Sequence, residues 1–175
     1  MATTFQPLLA NGTAITISLA SLASTTADPP VGREATAIDN SSNLYEDALL
    51  FGQITTGTSP TASKQIVVCV AGIGYDGSTL YYPAGITGTD AGLTPTFAGV
   101  IGPPGLILPI ATIPTNSTSN VGYKFGPVSV ANALGLRTLP RKWTVFVYHN
   151  TGVNLHATAG NHYLYYQGLN GYGTP

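Results

Sequence analysis

The sequence predicts an all-β fold: an antiparallel two-sheet β-sandwich built as one domain with extended arms at both ends. Three observations lead there. No stretch keeps a helical period of apolar residues for more than a turn or two. Roughly eight to ten short β-rich runs are separated by Gly, Pro, Asn and Ser clusters at about eight-to-twelve-residue spacing, the signature of a sandwich or barrel. The third is the stretch Leu139 to Gly168, which holds the only tryptophan, all three histidines and four tyrosines (Tyr148, Tyr163, Tyr165 and Tyr166). In it Trp143, Val145 and Val147 alternate with Thr144, Phe146 and Tyr148, so a strand here is apolar on both faces. Such a strand needs a core on one side and another sheet, subunit or partner on the other. His149-Asn150-Thr151-Gly152 has turn chemistry, and a return through Val153, Leu155 and Ala157 completes a predicted central hairpin.

Taken in order, Met1 to Ala10 reads as a loose arm, residues 1–12 in all, and Thr13 to Leu19 as a first strand alternating with period two. Thr25 to Gly32, with Pro29-Pro30, is a stiff extended connection. Strands follow at Arg33 to Asp39 and, after an Asn40-Ser41-Ser42-Asn43 turn, at Leu44 to Thr56. Lys64 to Ile73 is a buried strand, and Thr79 to Tyr82 a short one stopped by Pro83. Thr87 to Gly92 is a polar loop of the kind that tips a sandwich. Thr94 to Pro114 reads as strand, Gly-Pro-Pro-Gly corner and strand. Gly122 to Val130 is a strand whose Pro127 places it at a sheet edge, and Ala131 to Gly135 a turn of helix. Residues 13–168 form the domain, and 169–175 a Gly-rich tail, mobile or docked on a neighbour.

Composition narrows the function. Only 7% of residues are charged and the net charge is −1, against about 25% charged in ordinary domains. A surface of Thr, Ser, Asn and Gly lacks the repulsion that keeps molecules apart, which suits a protein working inside an assembly. Balanced signs argue against a nucleic-acid partner, because phosphate binding takes clustered Lys or Arg, and Arg141-Lys142 is the only basic pair. The longest apolar stretch, Phe97 to Pro114, is broken by six Gly and Pro residues (Gly99, Gly102, Pro103, Pro104, Gly105 and Pro109), so no membrane partner is expected. Cys69, the only cysteine, lies in an apolar run and reads as a small core residue. No basic residue precedes Arg33, so a secretion signal is not expected, and the chain reads as made in a cytoplasm.

No catalytic, metal or cofactor site is predicted. Gly72-Ile73-Gly74-Tyr75-Asp76-Gly77 matches the dinucleotide-binding letters after a strand, yet opens no helix to hold a pyrophosphate, so it reads as a glycine-rich hairpin. His149, His156 and His162 lack zinc spacing and have no nearby carboxylate to orient them. Glu34 and Glu46 on adjacent strands are the one pair placed for acid–base work, and their neighbours read as surface pairs. There is no Gly-x-Ser-x-Gly elbow. Asn11, Asn40 and Asn116 fit the glycosylation pattern and mark turns. The tyrosines are the last constellation. Tyr81, Tyr82, Tyr163, Tyr165, Tyr166 and Tyr172 suit a protein interface, where rigid rings contribute area at low entropy cost, or a sugar platform.

An ordered set of motifs then points to a family. Gly32-Arg33-Glu34-Ala35-Thr36-Ala37-Ile38-Asp39-Asn40, Leu44-Tyr45-Glu46-Asp47-Ala48, Lys64 to Val68, Gly74 to Gly77, Thr87 to Gly92, Gly126 to Val130, Leu139 to Trp143 and Ala159 to His162 together resemble small structural proteins of tailed bacteriophages. The likeness runs from about Thr13 to Gly168. It is a resemblance to capsid decoration, or cement, proteins, and it implies a jelly-roll sandwich on the outer surface of a phage head. The implied partners are the major capsid protein and further copies of the same chain, as a dimer or trimer, with no cofactor. The implied place is the virion, after synthesis in the bacterial host cytoplasm. Expected contact residues are Tyr163, Tyr165, Tyr166 and Tyr172 together with Phe97, Ile101, Leu106 and Leu108 of the Pro/Gly-rich insert, and the terminal arms are expected contact surfaces as well. A carbohydrate-binding module and a tail or baseplate component are the alternatives.

Overall fold

Two long strands, Lys64–Tyr75 and Lys142–His149, are apolar on both faces and feed two cores with alternate residues, which sets the architecture. The computed structural model describes the backbone of residues 5–96 and 107–173 and the side chains of residues 9–96 and 107–170. In chain order the strands are β1 (Phe5–Leu9), β2 (Thr13–Ala14), β3 (Gly32–Glu34), β4 (Ile38–Asp39), β5 (Asp47–Thr55) and β6 (Lys64–Tyr75). They continue with β7 (Leu80–Tyr81), β8 (Ala91–Leu93), β9 (Leu108–Thr115), β10 (Gly122–Ser129), β11 (Lys142–His149) and β12 (Tyr163–Gly173). One helical turn, α1 (Val130–Ala133), follows β10, and a 3-10 turn, Ala159–Asn161, precedes β12.

The strands form two antiparallel sheets. The first runs β1-β12-β5-β10, with β2 also on β12; the second runs β7-β6-β11-β3-β8, with β4 on β11 and β9 on β6. The chain crosses repeatedly between the sheets, at β5 to β6 and β11 to β12 among other places, and the antiparallel pairs β5–β12 and β6–β11 enclose a common core as a two-sheet sandwich. β10 is an edge strand with a register shift between Phe125 and Val128, where Pro127 has no N–H to donate.

The faces of β11 follow its alternation. Trp143, Val145 and Val147 enter the main core with Leu50, Ile54, Leu164 and Tyr166. Trp143, 1% exposed, meets Tyr166 edge-to-face at 5.5 Å between ring centroids. Phe146 enters a second core with Val67, Cys69, Ala71, Ile86 and Leu93, and Tyr148 packs against it. Ile86 and Leu93 come from the chain's own loop between β7 and the end of β8, so part of the outer face of this sheet is covered internally. Glu34, 1% exposed, fastens that loop by accepting hydrogen bonds from the Thr87 N–H at 3.0 Å and from the Thr87 hydroxyl.

Several sequence expectations are corrected. β11 and β12 do not form a hairpin: β11 lies between β6 and β3, whereas β12 lies between β1 and β5 of the other sheet. The link turns the corner because His149, fully buried, bonds through Nε2 to the Leu22 carbonyl at 3.0 Å, and the Leu155 N–H reaches the same carbonyl at 2.9 Å. Of the expected strand Thr13 to Leu19 only β2 is laddered. Ile15 and Leu19 are still buried, as the segment passes from Leu164 of one sheet to Thr36 beside the other. Arg33 to Asp39 is split into β3 and β4, both on β11. Residues 5–9 form β1, which pairs with the far end of β12, from Phe5 opposite Gly173 to Leu9 opposite Leu169.

Candidate interaction surface

In β5, Ala48, Leu50, Gly52 and Ile54 face inward, which leaves Leu49, Phe51 and Gln53 outside. Register places Tyr163 opposite Gln53, Tyr165 opposite Phe51 and Gln167 opposite Leu49, so these residues share one outer face. The Phe51 and Tyr165 rings lie 5.9 Å apart at 17°, close to parallel, and Tyr163 joins Tyr165 at 6.0 Å. Next to them a groove of about 380 Å³ is bounded by Phe51, Phe125, Pro127, Tyr163, Gln167 and Lys124. Gly52 makes this arrangement possible, because a Cβ there would lie 2.3 Å from the Tyr163 carbonyl oxygen. The surface is aromatic, and among the described residues Lys124 is the single charge lining its groove. It can bury area against a protein or stack on a ring.

The expected contact residues separate. Tyr163 is exposed and Tyr165 half-buried on the outer face, whereas Tyr166 is 7% exposed and packs inward on Trp143, so it belongs to the core. Burial raises the pKa of the Tyr166 phenol. Tyr172 lies on β12 opposite Gln6, its side chain outside the described set. Phe97, Ile101 and Leu106 lie outside the described residues, and Leu108 is half-buried on β9 opposite Val70. Phe51 joins this face outside the expected set, and its parity within β5 is the signal that marks it as outward.

The other constellations have structural roles. Glu34 and Glu46 are not neighbours, since Glu34 is in the second sheet and Glu46 precedes β5 in the first. Asp47 accepts from the Ser129 hydroxyl at 2.6 Å and the Ala131 N–H at 2.9 Å, fixing α1. Asp39 pairs with Lys142 at 3.2 Å, and hydrogen bonds from Ser41, with Lys142, hold its pKa down to about 2. Against the desolvation of partial burial, Arg33 and Ser18 hold the Asp90 carboxyl below the usual range. Asp76 closes the Gly-rich hairpin of β6 and β7 by accepting from the Ser78 and Thr79 N–H groups and the Tyr81 hydroxyl. Arg141 sits 4.3 Å over the Tyr75 ring.

His162 donates through Nε2 to the His156 carbonyl at 2.8 Å and accepts the Thr55 N–H at Nδ1, an arrangement only the neutral ring can make. Burial lowers the pKa of both His149 and His162. Cys69 is buried, which pushes its thiol up to about 12. Among the described residues no group of three His, Cys, Asp or Glu is placed to hold a metal ion. No family model, curated protein or solved structure matches this chain.

Proposed function

We propose that this chain is a non-enzymatic structural virion protein, a decoration protein that binds the outer surface of a phage head and bridges major capsid subunits. The observation that carries the reading is the outer face of Phe51, Tyr163 and Tyr165: an aromatic surface on a sandwich with 7% charged residues. The ordered motifs from Gly32 to His162 support it. A shell under internal pressure gains from added contact area, and apolar burial stabilises by about 25 cal/mol per Å². Attachment built this way depends little on charge, so it weakens little between low and high salt. The test is binding of the purified protein to heads stripped of it, across a salt series. Release of most of the protein by moderate salt alone counts against the proposal.

A second reading is favoured by one specific feature. The nearly parallel Phe51 and Tyr165 rings, flanked by the Gln53 and Gln167 amides, present the platform on which a pyranose stacks. Glycan-array binding that disappears in Tyr165→Ala would favour a carbohydrate-binding module, on a tail or baseplate component, over a capsid clamp.

A further inference from the structure

Backbone groups of successive strand residues point to opposite edges. The Ala10 N–H bonds to the Gly168 carbonyl at 2.8 Å, so in β1 the groups of Leu8 and Gln6 face β12, and those of Leu9, Pro7 and Phe5 face away. Pro7 therefore sits with its donorless nitrogen on the outer edge of β1, the position at which a proline blocks a further strand. The other edge of the ribbon is different. The Leu169 carbonyl accepts the Glu46 N–H at 2.9 Å, and pairing of β12 with β5 ends at Leu169 opposite Asp47. Beyond it the Gly171 and Gly173 groups point to the same side, and among the described residues no strand lies there. A two-stranded ribbon running past its sheet is marginal in water by itself.

A second feature lies in the turn that ends at Glu46, the residue bonded to Leu169 where this edge begins. The turn from Asn40 to Glu46 carries Leu44, 72% exposed, at φ 52, a left-handed conformation unfavourable for leucine. The turn is fixed from Asn40, whose side chain bonds the backbone of Tyr45 at both its N–H and its carbonyl. Among the described residues Leu44 belongs to neither apolar core. Leu44 borders a groove of about 380 Å³ with Tyr45, Thr138, Leu139 and Arg141.

We infer that the open edge of β12 at residues 170–173 pairs antiparallel with the same edge of a second copy, with Leu44 covered in the contact. An antiparallel edge is self-complementary about a two-fold axis: Gly171 of each copy faces Gly173 of the other, and the two Tyr172 residues meet at the axis. One edge of the ribbon is blocked and the other left open, which selects a closed dimer over a continuing sheet. This deepens the homo-oligomer part of the proposed function and does not require the phage head.

Sedimentation equilibrium of the purified chain should give twice the 18.0 kDa of the monomer. Gly171→Pro removes a donor on the open edge without touching the bonds to β1, and should weaken the dimer at least about tenfold with an unchanged far-UV spectrum. Leu44→Asn relieves the left-handed leucine, so it should weaken the dimer while raising the melting temperature of the isolated monomer. Tyr172→Cys should form an intersubunit disulfide on mild oxidation, because residues at the axis have the Cα separation a disulfide spans. A wild-type monomer at every concentration, a trimer, or a dimer indifferent to both Gly171→Pro and Leu44→Asn would overturn the inference. Head binding by such a monomer would leave the decoration reading standing, so the two fail separately.

Discussion

Tyr165 and Tyr166 are adjacent in sequence and opposite in role, and replacing each by alanine separates folding from binding. Tyr166, 7% exposed, fills the main core against Trp143 and is flanked in the same cluster by Leu50 and Leu164. Removing a buried aromatic side chain costs about 3–5 kcal/mol through lost transfer energy and the cavity left behind. For a domain of this size about 1 kcal/mol shifts the melting temperature by roughly 2–4 °C, so Tyr166→Ala should melt some 6–20 °C lower. Tyr165 is half-buried on the outer face and touches Phe51 and Tyr163, so Tyr165→Ala forfeits a surface contact worth about 1 kcal/mol or less. Urea unfolding with both m-values measured is the assay, since an unchanged m shows that the states compared are the same. Equal destabilisation by the two substitutions, or a larger effect at Tyr165, would refute the assignment of the β12 faces.

Three further outcomes follow from the geometry. Gly52→Ala places a Cβ 2.3 Å from the Tyr163 carbonyl oxygen, so the central β5–β12 pairing cannot close and the variant should fail to give a cooperative melt. The folded-state pKa of His149 and of His162 is lowered, so each contributes stability fully present above its unfolded value near 6.5. That contribution is lost as pH falls below this value toward the folded-state pKa; chemical denaturation between pH 8 and 5 should show the decline, reduced in His162→Gln. Cys69, with its thiol at about 12, should resist a disulfide reagent at pH 8 in the native protein and react promptly in urea; prompt native reaction would contradict its burial.

What the sequence makes legible is local. Period-two alternation in Lys142–His149 assigns both faces of β11 correctly, and Pro127 marks β10 as an edge strand. What it hides depends on distant partners. Asn150-Thr151-Gly152 supports a turn whether the chain doubles back in one sheet or crosses to the other, and the crossing is fixed by contacts of His149 and Leu155 with Leu22. The pairing of Phe5 with Gly173 joins segments far apart in the chain, with no periodicity in either to announce it. Tyrosines at positions 163, 165 and 166 occupy both parities, so composition alone leaves open which are surface and which are core. The strand that opposes Phe51 to Tyr165 resolves it.

In the proposed function the outer face of β5 and β12 attaches this protein to a phage head. The direct measurement is co-sedimentation with stripped heads, counting bound copies per major capsid subunit for the wild type and for Tyr165→Ala. A saturable, fixed ratio is expected for the wild type, with a marked loss for the stable Tyr165 variant. Absence of saturable binding, or equal binding by both proteins, would contradict it.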